Sequence, residues 1–237
     1  MPTLPQVLSE LQFISYETAL LALVFTAGLI LITRDWRLLI LALLGQYIVV
    51  GLMLSRLVRP DIAVLNVLIG AFVCPILFLS ARQVSASTTS AATVAALDNP
   101  SGYQKFHWAA ISNFLLGTNR RRQVAPTGAM FRLVFGLLLL LIAVTVARSM
   151  PLSPLSPAIT TAIYWLVLAG LGVLMLTEDP MKAGHGLFTL LTGFGLYYVS
   201  RESSLLLTGL WGSVNLLLAL SIGYLTVVRG ARLEEDV

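Results

Sequence analysis

The sequence predicts an all-α integral membrane protein of about seven transmembrane helices, and three observations predict it. The composition is 57% hydrophobic and 11% charged with a mean hydropathy of +0.89, whereas a soluble domain carries roughly a quarter of its residues charged. Apolar runs near the membrane-spanning length of about 20 residues recur along the chain. The alternation of apolar run and short polar turn over Ala27–Arg82 returns over Ile159–Arg232. Because the runs are continuous rather than alternating, a transmembrane β-barrel is excluded.

The expected spans are 14–33, 38–55, 62–81, 131–148, 159–177, 183–200 and 204–228. Arg34-Asp35-Trp36-Arg37 makes the first turn, and Arg56, Arg59, Pro60 and Asp61 make the second. Glu178-Asp179-Pro180-Met181-Lys182 and then Arg201-Glu202 are the corresponding turns of the second half. Four segments follow: residues 1–82 as a first three-helix repeat and 83–130 as a connector. Residues 131–158 are a linking helix with its outer loop, and 159–237 are a second three-helix repeat with a tail. The linking run Leu133–Ala147 is apolar throughout, so it crosses and the two repeats are parallel.

Basic residues orient the chain, since they concentrate in cytoplasmic loops. Arg34, Arg37, Arg82, Lys105, Arg120, Arg121, Arg122, Arg132, Lys182, Arg229 and Arg232 fall on one side; Arg56, Arg59, Arg148 and Arg201 fall on the other. The N-terminus is therefore expected outside and the acidic C-terminus, Glu234-Glu235-Asp236, inside an inner (plasma) membrane. No Lys or Arg precedes the first run, which argues against a cleaved signal peptide. The single cysteine, Cys74, permits no internal disulfide and reads as a small buried thiol before Pro75.

The connector opens with Ser85-Ala86-Ser87-Thr88-Thr89-Ser90, the composition of a flexible linker. Tyr103, Phe106, Ala110, Ile111, Phe114 and Leu115 then share a face at helical spacing, flanked by Lys105, Trp108, Arg120, Arg121 and Arg122. Such a basic amphipathic helix lies in the bilayer interface with its cations near anionic headgroups, or docks on a partner subunit. Outside, Pro151, Pro154 and Pro157 make a short, stiff, extended loop.

Ionisable groups inside a bilayer are costly and mark function, and here every acid falls at a span end, in a loop or in a tail. The polar residues left inside are neutral: Gln46 at mid-span, Asn66 and Asn215 at matching places a few residues into the third helix of each repeat, and His185 between Gly184 and Gly186. Interhelical hydrogen bonding accounts for the first three. His185 is either a polar anchor or, with its small neighbours, a ligand to a tetrapyrrole metal. Glycines 170, 172, 184, 186, 193, 195, 209, 212 and 223 predict a tight bundle or a docking face for other helices.

This layout resembles the three-helix K-type subunit of respiratory complex I. Doubled, with one extra helix and a longer connector, it resembles the E-type membrane component of multisubunit membrane hydrogenases. The family's second-helix glutamate would fall at Gln46 and, in the second repeat, near Leu191. Its third-helix ionisable positions would fall near Ile69–Gly70 and Asn215–Leu216. All are uncharged here. The resemblance implies an accessory, non-catalytic subunit that packs against ion-translocating membrane subunits, and the absence of titratable groups at these positions and at mid-span predicts that it is not itself a proton-transfer element. Nothing in the sequence resembles a nucleotide loop, a zinc site or a nucleophile with its base, so neither a cofactor nor a nucleic-acid partner is expected. A pigment- or haem-associated subunit and an independent small transporter are the other readings, the latter suggested by the repeat.

Overall fold

The computed structural model describes residues 15–97, 128–202 and 204–235. Among these it is all-helical, with seven helices: α1 (Tyr16–Ile32), α2 (Trp36–Leu57), α3 (Pro60–Leu97), α4 (Ala129–Ser149), α5 (Pro157–Met175), α6 (Pro180–Arg201) and α7 (Leu205–Glu235). Five are long and apolar enough to cross a membrane, namely α2, α3 through Val84, α4, α5 and α7 through Ala231. The first helix is a shorter apolar helix of 17 residues. Lys182, His185 and several Gly and Thr make α6 more polar than the rest.

Local chemistry sets the helix starts. Ser15, Ser156 and Asp179 each accept a backbone N–H of the first turn, from Thr18, Ile159 and Lys182 respectively. Pro157 and Pro180 open α5 and α6, where a missing N–H costs nothing and the fixed φ suits a helix. Tyr16, Trp36 and Tyr197 sit under the guanidinium groups of Arg56, Arg37 and Arg201 at helix ends.

Helices α1, α2 and α3 pack in sequence, as do α5, α6 and α7; across the bundle α1 faces α5, α2 faces α6 and α3 faces α7. The linking helix α4 rests on α1 and α5. One apolar cluster gathers the start of α1, the end of α2, the start of α5 and the end of α6, including Leu23, Leu54, Trp165 and Leu196. The other gathers the opposite ends, including Leu31, Leu43, Leu77 and Phe188. Outward faces remain apolar, as at Phe25, Leu41, Phe72, Leu137, Leu206 and Leu217.

Glycines 170, 193 and 212 lie where helices approach closely. A Cβ at Gly170 would lie 2.6 Å from Gly186 O and from Leu190 N, one at Gly193 2.8 Å from Leu166, and one at Gly212 2.6 Å from Ile69. The tight-bundle alternative accounts for these positions.

Three expectations change. Ser85 to Ser90 continue α3, which runs to Leu97, instead of forming a flexible linker. The stretch contains no Gly or Pro to stop it and is followed by Ala91, Ala92, Ala95 and Ala96, strong helix formers. The outer loop is not simply extended: Leu155 N donates to Leu152 O, and Leu152 and Leu155 pack on the core. Asn66 and Asn215 do not sit at matching depth. Ile69 lies against Gly212, which puts Asn66 near the level of Gly209 and Asn215 more than a turn further along. The expected amphipathic helix (Tyr103, Phe106, Trp108, Ile111, Phe114, Arg120, Arg121 and Arg122) lies outside the described residues.

Candidate functional site

A polar stripe runs along α6. Lys182, His185, Thr189 and Thr192 are all buried, and their spacing of three or four residues places them on one helical face. At 1.5 Å per residue, the stripe climbs roughly 15 Å from the α5–α6 turn into the bundle. Opposite it, α2 contributes Gln46 and Tyr47, both buried.

At the inner end, the Thr189 hydroxyl lies 2.8 Å from His185 O and 3.4 Å from Gln46 Oε1. It satisfies itself on its own helix and makes a long contact across to α2. His185 Nδ1 is 2.8 Å from Met181 O, so Nδ1 carries the proton and Nε2 is the acceptor. Both His185 Nε2 and Gln46 Nε2 are buried without a hydrogen-bond partner among the described residues. One is an acceptor lacking a donor; the other is a donor lacking an acceptor. The Tyr47 hydroxyl is likewise unpartnered, with Thr192 as its polar neighbour.

The site does not fit a tetrapyrrole. A Cβ at Gly184 would lie 2.6 Å from Ile222, and one at Gly186 2.8 Å from Val173. The small flanks that suggested room for a macrocycle are occupied by α7 and α5. His185 is 0% exposed.

Of the other expected polar residues, Asn66 reaches the cluster only through the Tyr47 backbone, and Asn215 stands apart from it. Asn66 Nδ2 donates to Tyr47 O at 3.4 Å, and Asn215 Nδ2 donates to Trp211 O on its own helix at 2.8 Å, leaving Oδ1 unpartnered. Cys74 is buried, its thiol 3.9 Å from Ile40 O.

At the outer end, Lys182 Nζ donates to Leu31 O at 3.2 Å and to Thr33 O at 2.7 Å. These carbonyls end α1, where unpaired acceptors and the negative pole of the helix favour a cation. Sequence reading used Lys182 only as a topology marker and passed over Thr189, Thr192 and Tyr47. A lysine two residues after the proline that opens a helix, followed at i+3 and i+7 by His and Thr, was the available signal.

Two pairings give the bundle its direction. Leu31 near the end of α1 lies beside Gly172 near the end of α5, and Trp165 Nε1 donates to Leu23 O at 3.3 Å midway along both. These two helices run parallel. Thr189 meets Gln46, Gly212 meets Ile69, and Gly223 meets Ser80, each pair separated by 143 residues in sequence. No family model, no curated protein and no solved structure matches the chain.

Proposed function

We propose that the chain is a non-catalytic accessory membrane subunit of an energy-transducing complex of the complex I or membrane-hydrogenase kind. It has seven spans, arranged as two parallel three-helix repeats joined by α4. The observation that carries this reading is the shared separation of 143 residues in three facing pairs, one on α2 and α6 and two on α3 and α7, with Val84 and Gly230 further along α3 and α7 at 146. A shared offset across two helix pairs is what a duplicated unit packed face to face produces. The parallel course of α1 and α5 supports the same arrangement, and a doubled three-helix unit is the architecture on which the resemblance rests. Among the described residues, Glu17, Asp35, Asp61, Glu178, Asp179 and Glu202 sit in first turns and connecting turns, which suits scaffolding better than ion relay. The outward apolar faces of α3, α4 and α7 are where lipid and neighbouring subunits would pack.

The test is purification from native membranes in mild detergent, followed by mass spectrometry of what accompanies the chain. Larger polytopic subunits are expected at fixed stoichiometry. A chain recovered alone overturns the subunit reading and favours a second, an independent transporter. One observation supports that alternative: the unpartnered Gln46 and His185 nitrogens lie at the interface of the two proposed repeats, where transporter folds built from repeats place their substrates.

Orientation has its own expected result. In cells, a membrane-impermeant maleimide should label Ser153→Cys, while Glu178→Cys should react only after permeabilisation; both positions are exposed and Cys74 is buried. The reverse pattern would invert the topology, and labelling of both in intact cells would remove a span between them.

A further inference from the structure

The Lys182 end of the bundle concentrates positive charge beyond what holding α1 requires. Arg132, in the first turns of α4, is 5% exposed, and its Nε and Nη1 are buried without a hydrogen-bond partner among the described residues. Its position is fixed by Gly136, one turn later on the same face, where α4 closes on Leu31 of α1. Leu31 O is also an acceptor of the Lys182 ammonium. Two cations from different helices thus converge on one helix end, with Arg34 also within Coulombic range of both. The nearby carboxylate is Asp179, which accepts the Lys182 backbone N–H at 3.4 Å as the cap of α6. A lysine has three donors, of which two are used, and an arginine has five.

Burying like charges together with unmet donors is unfavourable unless an anion joins them. The position of the cluster says what kind. Arg132 lies in the opening turns of a candidate span whose neighbours Met130, Phe131, Leu133 and Val134 are exposed and apolar. An occupant with an acidic head and an apolar body matches both parts: the head reaches Arg132 and Lys182, and the body lies along the outer face of α4. We propose that Arg132 and Lys182 form a binding site for the phosphodiester headgroup of an anionic membrane lipid whose acyl chains cover α4. This rests on the chain being embedded in a membrane, and not on its being a subunit of a larger complex.

The full chain, purified in mild detergent, would be titrated with phosphatidylglycerol and, separately, with phosphatidylcholine of the same acyl chains. Bound lipid is counted by native mass spectrometry, and thermal stability is followed in parallel. Phosphatidylglycerol is expected to bind and stabilise in preference to phosphatidylcholine. Arg132→Gln and Lys182→Gln should each weaken it at least about tenfold, the scale of one charge-assisted contact. Arg132→Lys should fall between, and Arg148→Gln, exposed at the far end of α4, should bind normally. If Lys182→Gln does not fold, Arg132→Gln carries the comparison, since Arg132 Nε and Nη1 have no hydrogen-bond partner to lose among the described residues. Equal binding of both lipids, or unchanged phosphatidylglycerol binding in the folded variants, overturns the site. Equal stabilisation by inorganic phosphate overturns the lipid and assigns the cations to a free anion. Binding that emerges only when Glu234, Glu235 and Asp236 are replaced by Gln also overturns the proposal, because the chain's own tail then holds the cations.

Discussion

Gly170→Leu is expected to abolish the monodisperse, detergent-stable form of the chain, and Gly170→Ala to destabilise it by about 3 kcal/mol, the upper end of what overpacking costs. A Cβ at this position would meet Gly186 O and Leu190 N at 2.6 Å and Leu190 Cβ at 2.7 Å. Two of those atoms are backbone, so no rotamer change relieves the conflict and α5 must move away from α6. In lipid the hydrophobic effect does not drive helices together, so close backbone approach is much of what holds them. Gly209→Ala is the matched control, since nothing lies within 4 Å of its Cβ. Size-exclusion profiles and unfolding titrations in mixed micelles give the comparison. A Gly170→Ala variant as stable as Gly209→Ala would show that the α5–α6 approach is looser than described.

Trp165→Ala is expected to cost a similar amount, about 3 to 5 kcal/mol. The indole is 2% exposed at the centre of one apolar cluster, and its removal leaves a void between the first and fifth helices that their backbones cannot close. Trp165→Phe separates the two contributions. It keeps most of the volume and loses the hydrogen bond to Leu23 O, which is worth about 0.6 to 2 kcal/mol inside a membrane. Thermal unfolding of the three proteins in one detergent should rank them wild type, Phe and Ala, with the larger step between Phe and Ala. A Phe variant as damaged as the Ala variant would mean that the hydrogen bond, rather than the packing, joins these helices.

Helix positions were legible because the turns are chemically loud. Asp35, Asp61 and Asp179-Pro180 interrupt apolar runs, and the observed helices begin within a few residues of them. The packing was not legible, because a membrane removes the contrast that marks a buried face in water. Leu41 is 65% exposed and Leu43 is 0% exposed, yet the sequence offers two identical side chains on one apolar helix. The polar stripe was half-hidden for a related reason. Thr189 and Thr192 bond carbonyls of their own helix, so a buried threonine needs no partner that a sequence would reveal. Gln46 and His185 stood out because an amide and an imidazole cannot be satisfied so cheaply, but their proximity across α2 and α6 required the fold. Arg132 and Lys182 were misvalued for the opposite reason: a charge at a helix end has an obvious topological role, which concealed that both are buried.

The facing pairs carry a further consequence. Were each half to associate with an identical copy of itself, every residue on the symmetry axis would face its own kind: Ile69 would press on Ile69, and Ser80 on Ser80. In this chain the larger member of all three pairs belongs to the first half, with Gln46 over Thr189, Ile69 over Gly212 and Ser80 over Gly223. Bulk on one side and space on the other let α3 and α7 approach more closely than two identical surfaces can.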